Sequence, residues 1–504
     1  MDASLKEPSA KPNAAASPVL PEALLTIDGV VRKAAGGKTY DVINPWTGTP
    51  VGQAADASAE DVDAAIAAAR KAFDETDWST NHEKRYALVK KLRALFEDNR
   101  GRLSDLARYE AGAAMAAVNT AHVGMALNCW DDLIAVFPQV TWEEDRGIKH
   151  VYGADHRRMI VYSPVGVVGA ITPWNVPLYV NVGKVVAALL AGCTVILKPA
   201  PDTPGMGAIF GELAVEAGFP AGVLNVITAA DPVTAGETLV TDPRVDLITF
   251  TGSTGVGRRI MEKGAATLKR VFLELGGKSA KIILEDTPNF AQDVAMTLLA
   301  YHAGQGCAVQ SRLLVPRSRY DEAKAALKAA YAGFGDNWGD IDSPTHIMGP
   351  VVSRKQLDRI LGYIDIGQKE GATLLAGGKP RPDKGTGYFV EPTCFVDVTN
   401  DMRIAQEEIF GPVLSVIAFD DDEDAIRIAN DSDYGLSGGV SSGDPARAMA
   451  IARRIRTGSM SVNGGMCIMG DLPFGGVKGS GIGREWGIEG IEEFLDSKVI
   501  AVRL

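Results

Sequence analysis

The chain has 504 residues and a mass of 53.3 kDa, too long for one ordinary core, so two or more domains are expected. Hydrophobic residues make up 46% and charged residues 23%, a globular composition. The longest apolar runs, such as Val185–Ala191, fall far short of the ~20 residues of a membrane span. A net charge of −12, a pI of about 5.2 and scattered Lys and Arg argue against a nucleic-acid partner. The five cysteines (129, 193, 307, 394, 467) are odd in number, lack C-x-x-C spacing and follow no signal peptide. That pattern points to a reducing, cytoplasmic setting without a disulfide framework. The six histidines contain no H-x-x-x-H pair, so no metal site is expected.

In chain order, residues 1–20 are rich in Ala, Pro, Ser and Lys and read as a disordered tail. Ser58–Ala72 is an acid-started helix, and 82–118 reads as further helix. Between 160 and 284, β-rich runs (Val165–Thr172, Thr194–Pro199, Val223–Thr228, Asp246–Phe250) alternate with helical segments (Gly183–Gly192, Gly207–Ala217). Such alternation predicts βαβ units on a parallel sheet, the usual frame for a nucleotide. A second alternating region covers about 278–475, with strand-like Ala280–Leu284, Arg312–Val315, Val413–Phe419 and Gly458–Asn463. Residues 146–163 and 490–504 read as strands outside both regions.

The residues that carry chemistry fall in these frames. Phe250-Thr251-Gly252-Ser253-Thr254-Gly255-Val256-Gly257 follows a strand and opens a helix, where glycines let backbone N–H groups approach a diphosphate. Its G-x-x-G-x-G order departs from the usual fingerprint and equally suits a tight strand-to-helix turn. Lys198 ends a strand of the nucleotide frame and could reach a ribose, or snorkel at the surface. Asn175, between Pro173 and Pro177, is an oxyanion donor or a turn-stabilising asparagine. Glu274 follows the apolar Val271-Phe272-Leu273 and opens a Gly-Gly turn, which suits a semi-buried general base or a surface carboxylate. Cys307 lies 33 residues on (307 − 274), among Gln305, Gly306 and Ala308. It reads as a nucleophile that needs activation or as a small buried hydrophobe; the other four cysteines are assigned to cores.

These pieces, in this order, resemble the aldehyde dehydrogenase superfamily. The resemblance runs from Asn44 to Phe494 and rests on Pro173–Pro177, Leu197–Pro199, Phe250–Gly257, Glu274–Lys278, Gly304–Cys307, Glu407–Pro412, Pro473–Lys478 and Gly479–Glu485. It implies two Rossmann-like α/β domains with a small β oligomerisation arm. Coenzyme binding would fall to 21–145 and 164–276, catalysis to 277–475, and bridging to 146–163 and 476–504. It implies oxidation of an aldehyde to a carboxylic acid. Cys307 would attack the carbonyl carbon, Asn175 would hold the oxyanion, and Glu274 would activate water against the thioester. Lys184 and Glu485 would carry protons for Glu274. The cofactor would meet Thr172, Pro173, Trp174, Lys198, Pro201, Gly252, Ser253, Val256, Leu275, Glu408 and Phe410. The substrate would meet Val176, Tyr179, Gly183, Ile468 and Phe474. A homodimer or homotetramer is implied. Glu274 favours hydrolysis over a CoA-acylating alternative, and retention of Cys307 and Glu274 argues against a non-catalytic structural role.

Two departures from the family pattern matter. After the ribose lysine the family usually has a glutamate that binds the adenosine ribose and repels a 2′-phosphate; here Lys198-Pro199-Ala200-Pro201 puts a proline there. The expected cofactor is NAD, with NADP tolerated. Val176 and Gly183 stand where the family often has large side chains, and Ile468 is aliphatic. A widened tunnel is expected, taking a bulky aliphatic or aromatic aldehyde.

Overall fold

The computed structural model describes residues 18–504. Two large sheets dominate. The first has eight strands in the order Gly481–Ile482, Arg270–Glu274, Leu247–Thr251, Val167–Ile171, Thr194–Lys198, Leu224–Val226, Leu25–Ile27 and Val30–Arg32. Its five central strands are parallel and the flanking ones antiparallel. The parallel strands read as continuous apolar runs because helices cover both faces. From Val167–Ile171 the chain steps outward to Thr194–Lys198 and Leu224–Val226, then returns to place Leu247–Thr251 on the other side. That reversal leaves a crevice at the carboxyl ends of Val167–Ile171 and Leu247–Thr251, where open α/β sheets bind ligands.

The second sheet has seven strands, ordered Thr373–Ala376, Thr393–Val396, Val413–Phe419, Arg312–Pro316, Ala280–Ile283, Gly438–Ser441 and Ser461–Val462. All neighbours but the first pair are parallel. Buried Arg312 ties it together, donating to the Lys278, Ile428 and Ala429 carbonyls and to Asn400 Oδ1. A third, antiparallel sheet joins Leu495–Arg503, Ala154–Pro164 and Glu143–Val151. The architecture is α/β with two doubly wound sheets and a projecting β arm.

Several boundaries differ from expectation. Residues 1–17 of the expected tail lie outside the described residues, but Leu20 is buried and its N–H donates to Val51 O at 2.8 Å. Within 476–504 only Leu495–Arg503 joins the arm, while Gly481–Ile482 extends the first sheet beside Glu274. The helix expected at 183–192 begins at Pro177, which suits the first helical position, and runs to Ala191 through a π-turn at Val182–Val186. The stretch 82–118 is two helices, His82–Asp98 and Arg100–Tyr109, joined at Asn99, then a short helical turn Met115–Ala117 that runs into a π-turn at Val118–His122.

Candidate active site

The crevice opens into a cavity of about 830 Å³. One wall is the Pro173–Val176 turn after Val167–Ile171 and the Thr251–Ser253 turn after Leu247–Thr251. The other comes from loops at the amino ends of two strands of the second sheet. Gln305–Val309 precedes Arg312–Pro316, and Glu408 and Phe410 precede Val413–Phe419.

Glu274 is the last residue of the strand Arg270–Glu274, not a side chain on a free turn. The turn after it is locked: Leu275 N–H donates to Ser480 O at 2.9 Å, and Ser480 Oγ donates to Gly276 O at 2.7 Å. Glycines are required there by close approach. A Cβ on Gly277 would collide with the Cys307 carbonyl oxygen, and one on Gly276 would stand 2.6 Å from Glu408 Oε2. The Gly-Gly pair thus lets the Glu274, Cys307 and Glu408 segments pack together. Asn175 is buried, and its Nδ2 donates to Gln305 O at 3.2 Å, two residues before Cys307. His302 and Ala303, leading into that loop, have φ of 47° and 51°, a left-handed pair stored beside the thiol.

Around Glu274 and Cys307 the site is acidic, with the Lys184 ammonium buried behind it against Glu485. The Glu274 carboxylate is 2% exposed, and neither oxygen has a hydrogen-bond partner. Burial first, then the nearby Glu485, pushes its pKa well above the usual carboxylate range; Lys184 and Arg484 oppose them. The half-buried Cys307 thiol is raised too, by burial and then by the charge of Glu274. Lys184 and Glu485 form a buried ion pair at 2.6 Å. Lys184 Nζ also donates to Thr249 Oγ1 at 2.9 Å and sits 4.8 Å over the Phe272 ring. Lys184 lies within the π-turn and is buried there.

Of the residues expected to meet a cofactor, Pro173, Trp174, Gly252, Ser253, Leu275, Glu408 and Phe410 line the cavity; Thr172, Lys198, Pro201 and Val256 do not. Lys198 is buried at the strand end, its ammonium pushed down to about 8 by burial. Ser253 caps the helix Thr254–Gly264, accepting from Val256 N–H at 3.4 Å, and a Cβ on Gly255 would meet nothing within 4 Å. Trp174 and Phe410 stand edge to face at 5.4 Å. The open helix N-terminus, the orphaned Thr251 Oγ1 and the carboxylate of Glu408, which accepts from Gly277 N–H, suit a dinucleotide.

Of the expected substrate residues, Val176, Tyr179, Ile468 and Phe474 line the cavity. Gly183 does not, and the reading of it as a widened tunnel wall is corrected. A Cβ there would lie 3.0 and 3.1 Å from ring carbons of Trp486, which fills the space. Sequence reasoning also missed lining residues. Ala121, Met125, Tyr301, Asp202, Lys355, Gln356 and Arg359 also line the cavity. Gln356 donates to Phe410 O at 2.7 Å, and Arg359 donates to the carbonyls of Glu408 and Ile409, so the helix Arg354–Lys369 holds the Glu408–Phe410 segment. The one available signal was Ser353 three residues before Gln356, a helix-start pattern.

Comparison with known proteins matches this arrangement. The model of the "Aldehyde dehydrogenase family" matches residues 31–500. "Aldehyde dehydrogenase 1" of Tanacetum cinerariifolium is 38% identical over 481 residues, covering 94% of each chain. A crystal structure of an aldehyde dehydrogenase from Mycobacterium tuberculosis complexed with NAD+ superposes with a TM-score of 0.90 at 41% identity, covering 96% of this chain and 98% of that one. Aldehyde dehydrogenase C of Pseudomonas syringae, a cysteine-to-alanine variant complexed with NAD+ and octanal, gives 0.87 at 36% identity over 95% and 96%. From family match, relatives and fold alike, this chain belongs to the aldehyde dehydrogenase family.

Proposed function

We propose that the protein oxidises an aldehyde to its carboxylic acid with NAD, using Cys307 as nucleophile and Glu274 as base. The observation that carries this is a buried, unpartnered carboxylate held beside a half-buried thiol by the Gly276–Gly277 packing. Cys307 Sγ adds to the carbonyl carbon and its proton passes to water. Asn175 Nδ2 and the Cys307 N–H donate to the oxyanion of the thiohemiacetal. Pro173, Trp174, Ser253, Glu408 and Phe410 would hold the dinucleotide, with Lys198 at the strand end. Bound NAD supplies the acceptor for the hydride that leaves the thiohemiacetal carbon, which becomes a thioester. Glu274 then takes a proton from water, whose oxygen adds to the thioester carbonyl. The C–S bond breaks, the acid leaves and Cys307 is reprotonated. Lys184 and Glu485, paired behind Glu274, carry its proton away. The test is aldehyde-dependent NADH formation by the purified protein. Silence with NAD alone, but turnover on adding CoA, would move the protein to the acyl-transferring class.

We read the substrate as a bulky aliphatic or aromatic aldehyde. The apolar lining by Val176, Met125, Ile468 and Phe474, which share one core cluster, supports this, as does the octanal held by the Pseudomonas relative. The lining cations Lys355 and Arg359 act on the carboxyls of Asp202 and Glu408. Val176→Phe should lower kcat/KM for octanal and aromatic aldehydes about tenfold and spare acetaldehyde. Equal losses across a panel of chain lengths would remove Val176 from the tunnel wall.

NAD is favoured over NADP for a reason found one residue past Pro201. Asp202 lines the cavity and brings a carboxylate to that wall; burial raises its pKa and the Lys355 charge opposes this. A carboxylate there repels a 2′-phosphate. Asp202→Asn should raise the NADP/NAD ratio of kcat/KM about tenfold. An unchanged ratio would place the ribose elsewhere.

The β arm is read as the oligomer contact. Leu495–Arg503 is an edge strand with Val499 72% and Val502 47% exposed, an apolar edge that invites pairing. Light scattering should report about two or four times the chain mass; a monomer would refute the pairing.

A further inference from the structure

The slot left by Gly183 is shared by two groups of unequal kind. Over its Cα lie the Trp486 indole, 3.0 Å from a Cβ built there, and Glu485 Oε2, 3.5 Å from it. Any side chain at 183 would therefore press on the ring and the carboxylate together. Trp486 is fully buried, yet its backbone sits at φ 65° and ψ 171°, a region essentially reserved for glycine that costs a side-chain-bearing residue about 1–3 kcal/mol. Core filling alone does not call for a strained backbone, so something holds it.

The restraints are visible on both sides. Glu485 and Phe474 exchange two backbone hydrogen bonds of 2.6 and 2.7 Å, and Gly490 N–H donates to Trp486 O at 2.8 Å. The indole lies tilted by 36° against the Tyr179 ring, 4.6 Å between centroids, and Tyr179 is itself a wall of the cavity. The reversal at 486 sends the ring into the Gly183 slot and the preceding carboxylate toward Lys184. No hydrogen bond to Trp486 Nε1 is made, so the ring acts by shape.

We propose that Trp486 is a positioning residue for thioester hydrolysis: wedged between Gly183 and Tyr179, its indole holds Glu485 against Lys184 behind Glu274. This rests on the Cys307 and Glu274 reading above. Hydrolysis, and not hydride transfer, is the step that needs Glu274 to accept and then shed a proton, so the two steps should respond differently.

Stopped-flow NADH formation with NAD and octanal separates them, because the first turnover reports thioester formation and the steady state reports its hydrolysis. Trp486→Leu should leave the first turnover within about twofold, slow the steady state about tenfold, and expose a burst of about one NADH per subunit. The burst itself counts folded sites. Trp486→Phe should recover most of the steady-state rate. Gly183→Ala should slow hydrolysis in the wild-type background and add nothing to Trp486→Leu, since both act on one slot. Equal slowing of both phases, or additive effects of the two substitutions, would overturn the inference. Wild-type protein that forms no NADH would instead overturn the reaction assigned to the site, and this inference with it.

Discussion

Cys307→Ala should abolish aldehyde-dependent NADH formation, by about a thousandfold or more, while leaving NAD binding intact. Without the thiol there is no thiohemiacetal, and a free aldehyde hydrate is a poor hydride donor in a site shaped for a covalent adduct. No other cysteine can substitute. Cys129, Cys193 and Cys394 are buried in the cores, each thiol pushed up to about 12 chiefly by burial; Cys467 does not line the cavity. Cys307→Ser should fare little better, because a hydroxyl is far harder to ionise than a thiol in the same acid-lined pocket. The measurement is NADH absorbance beside a binding titration with NAD. Retained turnover in Cys307→Ala would move the nucleophile elsewhere; lost binding would mark the variant as misfolded rather than inert.

The motifs proposed to carry this chemistry are legible because each is local. Pro173–Pro177, Phe250–Gly257 and Gly304–Cys307 owe their character to small or rigid residues that set their own backbone, and all three reach the cavity. The alternation of apolar runs also placed the central parallel strands, since strands buried on both faces are written as continuous Val, Ile and Leu. Failures came where a distant partner decides. Gly183 looked like lost bulk in a tunnel wall, but the bulk is supplied by Trp486 from the far end of the chain. Asp202 carries no sequence signal of its own beside Pro201, and only the fold shows which of the two faces the crevice. The three-residue strands at Leu25–Ile27 and Val30–Arg32 are too short to show a period, and Leu20 is fixed by pairing with Val51, not by its own surroundings.

Glu274→Gln should uncouple the two halves of the reaction. A carboxamide cannot accept the proton of water, so steady-state turnover should fall about 10²–10³-fold while one NADH per subunit still appears in a burst. The pH dependence separates the groups. Glu274 works deprotonated and its pKa is raised by burial and by Glu485, so wild-type hydrolysis should fail on the acid side at a pH above the ordinary carboxylate range. That limb should vanish in Glu274→Gln. The first turnover should respond in the opposite sense. The Glu274 charge helps hold the Cys307 thiol protonated, so its removal should move the pH midpoint of the burst rate downward. Stability follows the same sign. A carboxyl whose folded pKa lies above its unfolded value stabilises the fold at low pH and loses that contribution as pH rises through the folded pKa. Above the unfolded value the buried carboxyl is therefore a burden, and Glu274→Gln should raise the thermal midpoint there while removing hydrolysis. A variant that was both slower and less stable, with an unmoved burst profile, would mean that Glu274 holds the fold instead of the water.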